Sequence, residues 1–186
     1  SPHIAGRARA RGDADATRYL AADARRLPFA DGALALVVSP STLDHFADPA
    51  DLGRSLRELG RILAPGGRLI VTLDNRQNVF DPLLRLVVRL GRVPYFVGRS
   101  YRVDELVAEL EAAGLAVEDT TAILHNPRLV ATAAVGFARW LNWAPLTRLV
   151  RRALVAAQGL ERTRWRYHSG SFVAALATRR DTSDVE

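Results

Sequence analysis

The sequence predicts an α/β domain built on a largely parallel sheet. Short apolar runs of strand length alternate along the chain with amphipathic segments of helical spacing, and this alternation is typical of such layered folds. With 186 residues, the chain is long enough for one domain with a sizeable core and short for two. We therefore expect a single domain over residues 1–180, followed by a disordered tail at 181–186.

Five segments have the character of strands. Leu34–Ser39 is a continuous apolar run, as expected for a parallel strand that is buried on both faces. Arg68–Leu73 is the next buried strand, and Thr17–Leu20 is a short candidate. Two more are expected towards the end of the chain, Leu115–Leu124 and a strand within Arg166–Thr178.

The clearest helix signal starts at Asp48, which suits the N-cap, with Pro49 in the first helical position. The helix should end sharply at Ala64–Gly67. Its buried stripe consists of leucines at helical spacing, namely Leu52, Leu56, Leu59 and Leu63. Further helices are expected at Ile4–Arg11, Pro82–Leu90, Val103–Ala113 and over most of 127–160, with a break near Pro145.

Composition narrows the classes of function. The chain has no cysteine, which excludes disulfides, thiolate metal sites and a cysteine nucleophile, and we expect no metal. Every basic residue is arginine, and the net charge of +6 is spread along the chain, so we do not expect a nucleic-acid partner. No apolar run reaches the roughly 20 residues of a membrane-spanning helix, and we expect a soluble, cytoplasmic protein.

Three short motifs follow one another between Ala22 and Asn75. ADARRLPFADGALALVVS resembles the D-A-x-x-L-P-F-x-D-G segment of class I S-adenosylmethionine (SAM) dependent methyltransferases. STLDHFADP resembles the family's L-x-H-x-x-D-P stretch, and ELGRILAPGGRLIVTLDN resembles E-x-x-R-V-L-x-P-G-G-x-L. The resemblance implies a Rossmann-like sheet of order 3-2-1-4-5-7-6 with an antiparallel last strand, and SAM as the cofactor.

The first residues also resemble the family. Ser1-Pro2 matches an acid-x-Ser-Pro pattern at the end of its second strand. The resemblance therefore implies that the first strand-helix-strand unit, with its glycine-rich loop, lies before Ser1, and we expect this chain alone to bind SAM poorly and to be inactive. A departure from the family is Ala35, where an aspartate usually braces that loop.

The resemblance also implies roles on the cofactor side. Asp23 would accept a hydrogen bond from the adenine amino group, and the backbone N–H of Ala24 would meet a ring nitrogen. Ser39 and Pro40 would line the cofactor near the transferred methyl group. From spacing alone, a loop cap remains an alternative for Asp23.

Ligands of open parallel sheets bind beyond the carboxyl ends of the strands, and this rule selects the remaining candidates. His45 is the candidate catalytic base, with a helix-entry histidine bonded to backbone as the alternative. Asn75, Asn78 and His125 are candidates for substrate binding at these ends, and Tyr101 is a further candidate. Turn chemistry explains the two asparagines equally well, and a structural or surface role is the alternative for Tyr101 and His125.

The segment 127–160 has aromatic and basic residues side by side. As an insertion before the last strand, it could form a lid over an apolar or lipid-like substrate, or lie on an anionic membrane surface. Core packing with a solvated basic face is the simpler interpretation. The residues concerned are Phe137, Trp140, Leu141, Trp143, Arg139, Arg148, Arg151 and Arg152.

We therefore predict SAM-dependent methyl transfer to a small molecule, with O- or N-methylation favoured over C-methylation. The alternative from another class is a catalytically silent methyltransferase-like module that binds or interacts, which Ala35 would suit. A nicotinamide oxidoreductase on a related fold is a third hypothesis, and the LPF and PGG motifs argue against it.

Overall fold

The computed structural model describes residues 18–91, 98–126 and 128–180. Strands and helices alternate through the first half of this part, and a helical segment precedes the last strand. The elements are β1 (Leu34–Pro40), α1 (Ala50–Ile62), β2 (Leu63–Asp74), α2 (Asp81–Arg89), α3 (Val103–Ala112), β3 (Leu115–Ile123), α4 (Arg128–Trp140), α5 (Ala144–Ala157), α6 (Arg166–Ser169) and β4 (Phe172–Arg179), with short 3₁₀ turns at Leu43–His45 and Gln158–Arg162.

The described strands form one sheet of order β1-β2-β4-β3. β1 and β2 are parallel, whereas β4 runs antiparallel to both β2 and β3. The antiparallel last strand is therefore confirmed. The order also corresponds to the 4-5-7-6 portion of the sheet that the resemblance implies.

The core lies between one face of the sheet and helices α1 and α3. Leu52 and Leu56 of α1 and Leu106 and Leu110 of α3 are almost fully buried. They join a cluster with alternate residues of β2, namely Leu69, Val71 and Leu73. Helix α1 thus buries the leucine stripe that its sequence predicts, because residues three and four apart share one face.

The other face of β1 is open in the described part of the chain. Leu36 is 54% exposed and Val38 is 55% exposed. The prediction that Leu34–Ser39 is buried on both faces is therefore wrong for this part. The reason is that α1 and α3 pack against the same face, and no described helix covers the side chains of Leu36 and Val38.

Other element predictions need correction at their boundaries. Residues 18–20 form no strand, because a strand is defined by pairing and they pair with no described segment. Leu63 belongs to β2, where it pairs with Leu34 and remains buried. Arg166–Ser169 is a helical turn, so the last strand starts only at Phe172. The predicted helix Ile4–Arg11, Thr17 and the tail at 181–186 lie outside the described residues.

The segment 127–160 is helical, as predicted. Pro145 lies in the first turn of α5, where its missing N–H costs no helical hydrogen bond. The break comes just before it, at Asn142, whose φ of 50° lies in the left-handed region. Helices α4 and α5 thus form a hairpin, and its role as an insertion or lid stays a prediction.

Candidate functional site

The candidate site lies at one edge of the sheet. Because β4 is antiparallel to both neighbours, β3 runs in the same direction as β1 and β2. The carboxyl ends of these three strands therefore meet at a single edge. At this edge lie Ser39–His45 at the end of β1, Asn75–Asn78 after β2 and His125-Asn126 after β3.

Backbone strain marks two of these strand ends. Ser41 follows β1 with φ of 42°, and Leu124 follows β3 with φ of 58°. For residues other than glycine this left-handed conformation costs roughly 1–2 kcal/mol. Ser41 is held there because its N–H donates to the carbonyl of Thr72 (3.0 Å) and to its Oγ1 (2.9 Å). Such strain clusters at ligand sites, which supports the location of the candidate site.

The end of β1 also carries a buried carboxyl group that the sequence analysis did not select. Asp44 is 1% exposed, and its Oδ2 accepts the backbone N–H of Asp74 at 2.9 Å. Its Oδ1 accepts no hydrogen bond from a described residue and lies 3.9 Å from Nε2 of His45. Burial raises the pKa of Asp44, and the nearby charge of Asp74 raises it further. Asp44 is thus a candidate proton acceptor beside His45.

His45 itself lies closer to solvent. Its side chain is 41% exposed and ends the 3₁₀ turn Leu43–His45. An exposed imidazole next to a buried carboxylate can exchange protons with solvent and with a ligand. The sequence signal for Asp44 was present, since an acid stands there between Leu43 and the apolar Phe46, but its burial is visible only in three dimensions.

On the cofactor side, Asp23 and Ala24 lie in a turn closed by a bridge between Asp23 and Arg26. Arg25 binds the carboxylate of Asp23, with Nη2 to Oδ2 at 2.6 Å, and lowers its pKa to about 2. Asp23 is therefore ionised at neutral pH and can accept further hydrogen bonds. The N–H of Ala24 donates to no acceptor among the described residues. Both features fit an adenine ring, and the assignment stays a prediction.

The two other predicted cofactor residues end β1. Ser39 is paired with Val71 and half-buried, whereas Pro40 is paired with Thr72 and exposed. Both directly precede the strained Ser41. Their position at the carboxyl edge fits a cofactor-lining role, which likewise stays a prediction.

Helix α1 fixes the loop that carries the LPFADG motif. Oε1 of Glu58 accepts the N–H of Leu27 at 2.6 Å. The guanidinium of Arg61 donates to the carbonyls of Leu27 (3.2 Å) and Phe29 (2.9 Å) and to the carboxylate of Asp31 (2.5 Å). The E-x-x-R motif thus binds the L-P-F-x-D-G motif directly. This contact explains why two motifs separated in sequence occur together.

The amide side chains of Asn75 and Asn78 are engaged within the protein. Asn75 Nδ2 donates to the carbonyls of Tyr167 (2.7 Å) and Gly170 (2.8 Å), and its Oδ1 accepts the N–H of Gln77. Asn78 Nδ2 also donates to the carbonyl of Gly170, at 2.8 Å. Both side chains fasten the segment before β4 to the loop after β2. This geometry favours the turn interpretation that the sequence left open.

Tyr101 belongs to the apolar core. It is 8% exposed, and its backbone N–H donates to the carbonyl of Asp74 at 2.8 Å. Its carbonyl accepts the N–H of Arg76 at 3.0 Å, so the residue runs alongside the end of β2. Burial raises the pKa of its phenol, which therefore stays protonated at neutral pH.

His125 is buried with one ring nitrogen free. Its Nδ1 lies 2.8 Å from Oγ of Ser169, and that hydroxyl donates its own proton to the carbonyl of Trp165 at 3.0 Å. The tautomer with its proton on Nδ1 would donate it to this hydroxyl. Nε2 has no hydrogen-bond partner among the described residues although it is buried. In that tautomer Nε2 is an unused acceptor at the end of β3.

An apolar groove separates α4 from α5 beside this histidine. Its volume is about 340 Å³. Asn126, which follows β3, lies at the groove, and its Oδ1 is buried with no described partner. Gln158, also at the groove, accepts the backbone N–H of His125 at 3.4 Å. The rest of the lining is mostly apolar, with Val135, Ala138, Val150, Leu154 and Val155.

This geometry defines a class of protein, an α/β fold with a ligand site at the carboxyl edge of a mixed sheet. A methyltransferase domain family matches residues 1–71. Over these residues the chain is similar to class I SAM-dependent methyltransferases, a family whose cofactor is SAM.

Curated relatives match this chain over part of their length. The chain is 36% identical over 115 residues to the ubiquinone/menaquinone biosynthesis C-methyltransferase UbiE of Haemophilus ducreyi, covering 52% of this chain and 43% of that protein. It is 50% identical over 54 residues to a demethylmenaquinone methyltransferase of Thermus thermophilus, covering 29% of this chain and 23% of the relative. The chain thus spans less than half the length of these relatives.

Solved structures show the same fold. A SAM-dependent methyltransferase from Mesorhizobium loti superposes with a TM-score of 0.61 at 19% identity. The match covers 96% of this chain and 77% of that protein. The likeness thus includes the helical hairpin α4–α5 as well as the sheet.

Proposed function

We propose that this protein transfers a methyl group from SAM to an oxygen or nitrogen atom of a small apolar molecule. The observation that carries the proposal is the apolar groove between α4 and α5, which Asn126 lines. Oδ1 of Asn126 and Nε2 of the preceding His125 are buried acceptors without a described partner. An apolar ligand would fill the groove, and a hydroxyl or amino group on it would donate to an acceptor of this kind.

The proposed cofactor site consists of residues from β1 and from the loop that carries the LPFADG motif. When bound, SAM supplies a methyl group on a sulfonium, which is already activated for transfer to a nucleophile. Asp23 and Ala24 would hold the adenine through one ionised acceptor and one free N–H. Ser39 and Pro40 would lie against the cofactor at the end of β1. The chain's main task is therefore positioning.

A protonated acceptor atom must also lose its proton. His45 and Asp44 are the groups that could take it, since Nε2 of His45 and Oδ1 of Asp44 lie 3.9 Å apart at the same strand end. The raised pKa of Asp44 brings a carboxyl group closer to the range in which it exchanges protons near neutrality. His125 lies at the end of β3, and β1 and β3 are the outer strands of the described sheet, so His125 would bind a polar group of the ligand other than the methyl acceptor atom.

Two relatives carry names that refer to quinones, and one of them is named a C-methyltransferase. These names support an apolar acceptor. They also make carbon the competing acceptor atom. Product analysis by mass spectrometry after transfer of a labelled methyl group would distinguish oxygen, nitrogen and carbon.

A catalytically silent binding module is the second candidate. Ala35 favours it, because the family usually has an aspartate at this position. Formation of S-adenosylhomocysteine distinguishes the two candidates. A silent module would bind SAM, which calorimetry measures, but would form no S-adenosylhomocysteine with any acceptor.

The sharpest test is the variant His125→Asn. An asparagine amide replaces the Nδ1 donor to Ser169 and removes Nε2, so the internal hydrogen bond is retained. We expect the KM for the methyl acceptor to rise about tenfold, as for the loss of one hydrogen bond to a buried group, while SAM affinity stays unchanged. An unchanged KM would contradict the proposed role of His125.

A second test fills the groove. Ala138 is 1% exposed and lines it, so Ala138→Leu should raise the KM for an apolar acceptor. Ala133→Leu is the matched control, because Ala133 lies on the same helix and is exposed. Equal effects of the two substitutions on the KM would remove the groove from the proposal.

A further inference from the structure

The helical hairpin α4–α5 is basic and carries no carboxylate of its own. From Thr120 to Leu160 the sequence contains five arginines and no acidic residue. The formal charge of this segment is therefore +5. Arg148, Arg151 and Arg152 of α5 are exposed, Arg151 at the groove, and the described part shows no ion pair for any of them.

The tip of the hairpin is apolar and faces solvent. Trp140 is 79% exposed and Trp143 is 55% exposed, on either side of the left-handed turn at Asn142. Phe137 is also exposed, and its ring lies 5.9 Å from that of Trp140. Tryptophan is on average a highly buried residue, so two exposed copies at one helical turn are unusual. Leu141 completes the tip.

Exposed apolar residues continue along α5. Leu149 is 64% exposed on its outer face, and Val155, at the rim of the groove, is 65% exposed. A face of this kind combines apolar side chains, which enter a lipid layer, with guanidinium groups, which bind lipid phosphates. Within the described residues no helix is long and apolar enough to span a membrane, so contact would be along the surface.

We infer that the hairpin α4–α5 docks on an anionic lipid bilayer. Its tip (Phe137, Trp140, Leu141 and Trp143) inserts at the level of the headgroups, and Arg148, Arg151 and Arg152 bind the lipid phosphates. Tryptophan rings prefer this interfacial depth because one part of the ring system is apolar and the indole N–H is polar. Nucleic acid would also attract the arginines, but it gives no partner to Leu141, Leu149 and Val155.

The docking can be tested without any methyl acceptor, so its failure is distinguishable from failure of the proposed activity. The purified protein is sedimented with vesicles of phosphatidylcholine alone or with about 30% phosphatidylglycerol, the anionic lipid. We expect binding only to the anionic vesicles, and release when the salt concentration is raised to about 0.5 M because screening weakens the arginine contacts.

Two sets of variants separate charge from insertion. The triple variant Arg148→Gln, Arg151→Gln and Arg152→Gln should weaken partition to anionic vesicles about a hundredfold. Trp140→Ala with Trp143→Ala should weaken it about tenfold through lost apolar burial. The matched control removes the same charge elsewhere, at the exposed Arg57, Arg68 and Arg89, and should bind nearly as the parent protein does.

Several outcomes would overturn the inference. Binding that is equal in the triple variant and in its control would show that only net charge acts. Retention of duplex DNA by the hairpin arginines without vesicle binding would assign the surface to nucleic acid. A concentration-dependent dimer that loses its stability in the tryptophan variant, again without vesicle binding, would make the tip an interface between two copies.

Discussion

Arginines have opposite roles in two regions of this protein, the motif-bearing segment around α1 and the hairpin α4–α5. Around α1 they bind carboxylates: Arg25 contacts Asp23 and Asp51, Arg54 contacts Asp51, and Arg61 contacts Glu58 and Asp31. In the hairpin the sequence supplies no carboxylate for them. The same side chain therefore fixes a loop in one region and leaves an uncompensated surface charge in the other.

The largest difference in the free energy of unfolding should appear when a leucine is replaced by alanine in each of the two regions. Leu56 is fully buried in α1, so Leu56→Ala should lower the free energy of unfolding by about 3 kcal/mol through lost burial and the cavity left behind. Leu149, on α5, is 64% exposed, and Leu149→Ala should change it by less than about 0.5 kcal/mol. Urea unfolding measures both. A large loss for Leu149→Ala would mean that the outer face of α5 is packed against something.

The next largest difference in stability should come from removing one arginine charge in each region. Arg61→Gln removes the charge-assisted contacts to Glu58 and Asp31 and weakens those to the motif loop, so it should cost about 2 kcal/mol in free energy of unfolding. Arg148→Gln removes the same charge from the hairpin and should be nearly neutral. If the two variants unfold at the same urea concentration, the contacts of Arg61 do not stabilise the loop.

Acid should affect the two regions differently. Hydrogen bonds from Arg61 lower the pKa of Glu58 to about 2, from an ordinary value of 4.5. A lowered folded-state pKa means that the stabilisation is complete above pH 4.5 and is lost as the pH falls towards 2. After solvent screening we expect a loss of about 1 kcal/mol from this group. Glu58→Gln should flatten the pH dependence of unfolding over this range.

The hairpin is the internal control for this acid effect. It contains no carboxyl group between Thr120 and Leu160, so hydrogen exchange of its amides should show no matching change in local opening. Parallel weakening of both regions below pH 4.5 would indicate that they unfold as one unit.

The sequence predicted the fold well where local patterns decide it. The leucine stripe of α1, the helical hairpin with its break near Pro145 and the antiparallel last strand are all confirmed. One prediction failed where pairing decides, since Arg18–Leu20 resembles a strand by composition, yet a strand exists only with a partner. The strand predicted within Arg166–Thr178 is present as β4, and Arg166–Ser169 before it forms a helical turn because the N–H groups of Ser169 and Gly170 donate to the carbonyls of Trp165 and Arg166.

The candidate site was less accessible to sequence reasoning than the fold. Spacing placed His45, His125, Asn75 and Asn78 at the correct edge of the sheet. It could not show that the asparagine amides are occupied by backbone carbonyls, or that His125 keeps one nitrogen free. It also missed Asp44, because the burial that raises its pKa arises from tertiary packing. These features depend on groups far apart in sequence, as with Asn75 and Gly170.

The smallest contrast concerns two left-handed turns. Ser41, at the candidate site, and Asn142, at the hairpin tip, have φ of 42° and 50°. Serine is strained there, so Ser41→Gly should raise the free energy of unfolding by about 0.5 kcal/mol, the relieved strain less the entropy that glycine adds to the unfolded chain. Asparagine tolerates this region, so Asn142→Gly should lower it by a similar amount. If urea unfolding gives changes of opposite sign in the free energy of unfolding for the two variants, strain is stored at the strand end and not at the tip. Changes of the same sign would show that the two turns are equivalent.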